Sequence, residues 1–214
     1  MLLSFETAAY GNSSLALFDG ENFVGQKFLS SGRATSIELL PAVQSLLEKA
    51  CVEKADTIAV DCGPGSFTGI RVGIASARGL SDGWSANIIG ISQFDFYPYH
   101  ADDETKQLIL LDAKAGGGFY YELRAVNAKR ERGFILGKDI AGALLRPNEK
   151  AVICGEFDDE ILTGTEWKHN QNIPVTDAKS VVKAAIRNIS EGNEQPVEAI
   201  YLHTTIKAAT KSLL

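Results

Sequence analysis

A mixed α/β fold in two halves of similar plan is the architecture that this 214-residue chain predicts. Three observations carry that reading. A faint internal repeat sets LLSFETAAYGNSSLAL, from Leu2 to Leu17, over LILLDAKAGGGFYYEL, from Leu108 to Leu123, at an offset of about 106 residues, near half the length. Each copy is an apolar strand ending in an acid, Glu6 or Asp112, followed by a small, glycine-containing turn and a second strand. Helical periodicity then interrupts the strand pattern twice in the first half, from near Thr35 and again within residues 62–80.

Taken in order, the first hairpin is followed by a third strand over Asn22–Leu29, with Phe23, Gly25, Lys27 and Leu29 alternating against Val24, Gln26 and Phe28. A helix begins near Thr35, whose spacing to Glu38 fits a capping box, and Ile37, Leu40 and Leu47 with Leu39, Val43 and Leu46 give it a broad apolar face. Pro41 should bend it. Thr57 to Asp61 reads as a short buried strand, and Ile88 to Ile91 as another after the second helix. The second half is less regular: Gly133–Gly137 and Ala151–Cys154 suit strands and Ala178–Ile189 a helix, while other expected helices look short or missing. Between the halves, Ser92 to Glu104 holds Phe94, Phe96, Tyr97 and Tyr99 beside an acidic DDE, which suits a capping helix running into an exposed linker, its aromatics packing between the halves.

The segment CGPGSFTGIRVGIASARGL, residues 62–80, is a glycine-rich turn opening into a helix with Gly69, Gly73 and Ala77 at i, i+4 and i+8 on one side. Each glycine there costs about 1 kcal/mol against alanine, so something must approach this stripe closely. Close packing inside the chain's own core and contact with a helix of another molecule both account for it, and the second is favoured. The turn does not match a phosphate loop, because Ile70 and Arg71 stand where the lysine of that motif would follow Gly69. Nor is it a nucleophile elbow, since Pro64 and Thr68 flank Ser66 at the glycine positions; Ser66 reads as an N-cap. Arg71 and Arg78, seven apart, suit solvation of the helix or a clamp on an acidic partner.

Composition bounds the function. A hydrophobic content of 45% provides a good core, and a formal charge of −6 argues against a chain that grips nucleic acid by itself. The chain shows no basic segment leading an apolar core at its start and no apolar run of membrane-spanning length. Cys51, Cys62 and Cys154 are scattered outside any paired spacing, as buried thiols in a reducing cytoplasm would be. His100, His169 and His203 have neither metal-ligand spacing nor a nucleophile nearby in sequence, so no metal site and no catalytic residue is assigned. The best constellation for chemistry is Glu6 with Asp112, facing each other across a cleft between the halves to hold magnesium or orient a water, with Thr7 and Lys114 as the only other polar furniture.

The residues GPGSFTGIRVGIASARGL resemble the signature of the TsaB (YeaZ) family. LLSFETAAYGNSSLALFDG resembles that family's opening strand pair, with Glu6 where aspartate is usual, and RATSIELLPAVQSLLEKA resembles its first helix. LDAKAGGGFYYEL resembles the second-half hairpin with Ala115 and glycines replacing charged turn residues, and PVEAIYLHTT the terminal segment with His203 at an arginine position. The resemblance implies a duplicated fold of the actin, sugar kinase and Hsp70 type, with an N-terminal lobe over residues 1–100 and a reduced C-terminal lobe over residues 101–214. It implies a cytoplasmic, non-catalytic partner of TsaD, the subunit that places threonylcarbamoyl on a tRNA adenosine. The metal-binding HxxxH motif of TsaD relatives falls here on Thr35 and Leu39, which hold no metal.

By the same resemblance, the first two helices pack against the equivalent pair of TsaD as a four-helix bundle. Leu39, Val43 and Leu46 on one and Gly69, Ile70, Gly73, Ile74 and Ala77 on the other are the interface candidates, and Gly73→Arg is expected to break the complex without unfolding the chain. A homodimer through that surface when TsaD is absent, a TsaE-like ATPase as a third subunit, and tRNA reached only through the complex are implied as well. No cofactor of its own is expected, with ATP or ADP at the complex boundary left open. Glu6, Thr7 and Asp112 would then be remnants of a nucleotide or metal cleft. Two other classes remain: a stand-alone nucleotide-dependent ATPase or kinase, and a peptidase.

Overall fold

The computed structural model describes residues 1–11, 13–30, 32–99, 105–114, 116–126 and 128–202. These form two compact units, Met1–His100 with Gln171–Ile200, and Ala101–Asn170 with Tyr201–Leu214. The expected boundary is therefore corrected: residues 171–200, assigned from sequence to the second lobe, pack with the first.

In the first unit, β1 (Leu2–Glu6), β2 (Ser13–Asp19) and β3 (Asn22–Leu29) form an antiparallel meander, and β4 (Thr57–Asp61) and β5 (Asn87–Ile91) add in parallel on the other side of β1, in the order β3-β2-β1-β4-β5. Strand alternation divides this sheet into two chemically distinct faces. Leu3, Phe5, Leu15 and Leu17 lie in one core with α1 (Arg33–Ala50) and α2 (Phe67–Trp84), which contribute Leu39, Val43, Leu46, Ile70, Ile74 and Ala77. Ser4 and Ser14, on the opposite face, fasten a later helix: the Ser4 hydroxyl donates to the Ala178 carbonyl at 2.8 Å, and the Ala178 amide donates to Ser14 Oγ at 2.9 Å. Between Leu17 and Phe18 the β2–β3 register slips by one residue, and Gly25 makes room there for Leu46, which lies 3.1 Å from where a Cβ would stand.

The second unit repeats the topology strand for strand. β6 (Lys106–Asp112), β7 (Gly118–Arg124) and β8 (Glu131–Leu136) are the antiparallel meander, with β9 (Ala151–Gly155) and β10 (Trp167–Asn170) parallel beyond β6, in the order β10-β9-β6-β7-β8. Its helices are what has been lost. Where α1 stands in the first unit there is only α3 (Ile140–Ala143), broken by Ala141 and Gly142, and where α2 stands there is a 3₁₀ turn, Asp159–Leu162. The last helix, α4 (Ala178–Ser190), is capped by Asp177, whose side chain accepts from the Ser180 amide at 3.0 Å, and it packs on the first sheet.

Several expectations change. The helix starts at Arg33 rather than Thr35, so no capping box forms; instead the Thr35 hydroxyl donates to the Ser30 carbonyl at 2.6 Å and Glu38 accepts from the Ser30 amide at 2.7 Å. The helix runs through Pro41 to Ala50. The aromatic segment is a 3₁₀ turn, Gln93–Phe96, capped by Ser92, with Phe94, Phe96 and Tyr97 buried in the first unit. The acidic part of the expected linker, with His100 and His203, lies outside the described residues. Cys51, expected to be buried, is exposed at the end of α1, while Cys62 and Cys154 are buried.

Candidate functional site

Two apolar strands end in acids, LLSFE and TIAVD, and the parallel register that pairs Phe5 with Val60 brings Glu6 beside Asp61. Both are fully buried. Glu6 Oε1 accepts from the Ala9 amide and Asp61 Oδ1 from the Gly63 amide, each at 2.7 Å, whereas Glu6 Oε2 and Asp61 Oδ2 meet no N–H or O–H donor. The two carboxyls face each other in a site that disfavours charge on both. Burial first, and then the charge of Asp61, push the Glu6 carboxyl well above the ordinary carboxylate range. The pair is sealed from solvent where the ends of β1 and β4 meet.

Asp112, the proposed counterpart of Glu6, belongs to the other unit. There it pairs with Lys114 Nζ at 2.6 Å, which, with the Lys114 amide, draws its carboxyl below the usual value against a desolvation cost. Thr7 is buried, and its hydroxyl donates to the Gly69 carbonyl at 2.8 Å. The expected remnants of a metal or nucleotide cleft are thus a sealed pair, a committed hydroxyl and a surface ion pair. Among the described residues no group of three or more His, Cys, Asp or Glu could hold a metal.

The glycine turn is equally occupied. The Gly63 amide donates to Asp61, the Ser66 amide to the Ala8 carbonyl at 2.6 Å, and the Gly69 amide to Ser66 Oγ at 3.2 Å, which bears out Ser66 as the N-cap. A cleft of about 200 Å³ lies between this turn, the β1–β2 connection and the start of α1, lined by hydroxyls including Ser13, Thr35, Ser66 and Thr68, and the described residues that line it include no His, Asp, Glu or Lys.

The stripe of small residues faces inward, which corrects the interface assigned from sequence. A Cβ on Gly69 would fall 1.8 Å from the Thr7 carbonyl oxygen, and one on Gly73 2.3 Å from Thr7 Oγ1. The close neighbour that the glycines serve is the chain's own first strand. Ile70, Gly73, Ile74 and Ala77, with Leu39, Val43 and Leu46, are buried in the first core and unavailable to a partner. It follows that Gly73→Arg, expected to spare the fold, would drive a long cation into Thr7.

The outward faces of the same two helices carry a different set. On α1, Ile37 is 75% and Leu40 52% exposed; on α2, Phe67 is 52% exposed under the Arg71 guanidinium, 3.6 Å from its ring centre. Gly79 and Gly83 on α2 would meet nothing within 4 Å if given a Cβ, so no intramolecular contact demands them. Arg78 is exposed and also donates to the Val197 carbonyl at 2.5 Å, which ties α2 to the segment after α4. No helix among the described residues is long and apolar enough to cross a membrane.

The family described as TsaD, tRNA N6-adenosine threonylcarbamoyltransferase, matches residues 30–138. The Escherichia coli protein named tRNA threonylcarbamoyladenosine biosynthesis protein TsaB is 30% identical over 173 residues, covering 78% of this chain and 72% of that protein. Its namesake from Haemophilus influenzae is 25% identical over 175 residues with the same coverage. A solved Pseudomonas aeruginosa structure, described as an uncharacterized protein with similarity to peptidase YeaZ, superposes with a TM-score of 0.67 at 20% identity over 94% of this chain and 99% of that one. That likeness and the doubled five-stranded topology make the fold the duplicated actin, sugar kinase and Hsp70 type, its second lobe reduced. By kinship over most of its length, the chain belongs to the TsaB (YeaZ) family.

Proposed function

We propose that this chain is the non-catalytic partner of a TsaD-type subunit in forming threonylcarbamoyladenosine on tRNA, and that it docks through the outward faces of α1 and α2. The observation that carries the reading is the exposure of Ile37 and Leu40 on α1, with Phe67 half-exposed under Arg71, beside α2 glycines that no internal contact requires. Large apolar side chains left in water on adjacent helices, next to positions where another backbone can approach closely, are what a helix-on-helix interface uses. When the catalytic subunit is absent, the same face pairs with a second copy. A TsaE-like ATPase completes the assembly, and tRNA is reached only through it.

The sealed Glu6–Asp61 pair and the hydroxyl cleft lined by no described His, Asp, Glu or Lys support the absence of independent chemistry. Reconstitution tests the reading. Threonylcarbamoyl transfer to tRNA adenosine should require both this chain and the TsaD-type subunit, and the chain alone should neither hydrolyse ATP nor cleave peptides. Turnover by the chain alone would contradict it.

A further inference from the structure

The other face of the first sheet carries a surface that the reading above does not use. α4 buries Ala178, Val181, Val182, Ala184 and Ala185 on the sheet and sets Lys179, Lys183 and Arg187 in a row, about 6 Å apart along the axis. The row borders an open groove of about 580 Å³, whose apolar residues include Phe96, Ile173 and Val175. Val175 is 71% and Ile173 39% exposed. Lys179 lies 4.4 Å from the Phe23 ring centre and Arg187 donates to the Asp95 carbonyl, while Lys183 is exposed and has no ionic partner among the described residues. The groove's acids are buried and engaged: Asp95 accepts from the Ser92 amide and Asn188, and Asp177 from the Ser180 amide and Gln26.

The geometry points to a docking groove for an acidic peptide segment of a partner protein, one that sets carboxylates against Lys179, Lys183 and Arg187 and apolar side chains against Ile173 and Val175. A helix with acids four residues apart matches the spacing of the row. A second copy seated symmetrically would bring this cationic row against itself. Single-stranded RNA would have to bring its phosphates to a chain of net charge −6, and the test below separates it from a protein segment. On a chain of net charge −6, a concentrated cationic row with an apolar wall steers acidic segments to one place. Because α1 and α2 pack on the other side of the sheet, both surfaces can be filled at once, and the inference stands whether or not the TsaD reading holds.

The test is photo-crosslinking in the native host from the full chain carrying Val175→benzoylphenylalanine, with Ile173→benzoylphenylalanine as a second probe position. The expected result is an adduct with a peptide of another protein bearing more acidic than basic residues, its yield falling about tenfold when Lys183→Glu is added while the melting temperature is unchanged. No adduct from either position, an adduct with a second copy or with RNA, or one indifferent to Lys183→Glu would overturn the proposal.

Discussion

Gly69 sits so close to Thr7 that a methyl group on its α-carbon would fall 1.8 Å from the Thr7 carbonyl oxygen, and the Thr7 hydroxyl in turn donates to the Gly69 carbonyl. α2 is therefore seated on the end of β1 by backbone-to-backbone contact. Gly69→Ala should destabilise the chain by about 3 kcal/mol or more, since neither backbone can yield without losing hydrogen bonds. Gly79→Ala, on the same helix in open space, should stabilise it by about 0.5–1 kcal/mol. Urea unfolding of both variants checks the pair of opposite signs, and equal effects would refute the seating.

Glu6 predicts a pH dependence. Its folded-state pKa lies above the unfolded value, so the folded chain retains a proton that the unfolded chain releases. The corresponding stability is fully present below the ordinary glutamate pKa and is lost as pH rises through the folded value, with a slope of at most about 1.4 kcal/mol per pH unit. Glu6→Gln keeps a donor toward Asp61 and cannot ionise. Its stability should decline less than that of the unsubstituted chain as pH rises above the ordinary glutamate pKa, as read by denaturant midpoints. Parallel pH profiles would show that Glu6 is charged in the fold.

In the second unit, Glu122 is fully buried and accepts from both Arg124 and Arg132, and Arg124 is itself buried and also donates to Gln107. Glu122→Ala leaves a buried guanidinium without its carboxylate and should cost about 3–5 kcal/mol. Thermal unfolding of the variant checks this, and a melting temperature within a degree or two of the unsubstituted chain, about the shift a small surface change gives, would contradict it.

Much of the fold is legible in the residues, because strands buried on one or both faces announce themselves by their apolar runs. Asn22–Leu29 and Thr57–Asp61 are strands with the bounds that periodicity assigns them, and the repeat that aligns Glu6 with Asp112 reappears as the same strand order in both sheets. β10 escapes because WKHN carries one apolar residue; His169, which looks like a surface residue, is held there by Asp159 at 3.0 Å and the Gly155 carbonyl at 3.1 Å. The partner-facing surface is misassigned for a physical reason. α1 is apolar around most of its circumference, with Leu39, Val43 and Leu46 on one side and Ile37 and Leu40 on another, and periodicity alone does not say which stripe meets the chain's own sheet. The Glu6–Asp61 pair had a signal, since both acids close apolar runs that read as strands, but only the parallel register puts them side by side.

Affinity for the TsaD-type subunit of the same organism tests the central claim most directly. Calorimetry with the unsubstituted chain and with Leu40→Asp and Gly79→Arg, both at exposed positions and both expected to melt near the unsubstituted temperature, separates docking from folding. The account predicts tight binding by the unsubstituted chain and a loss of about a hundredfold or more in each variant. Unchanged affinity in both folded variants would show that the outward face of α1 and α2 is not where the partner sits.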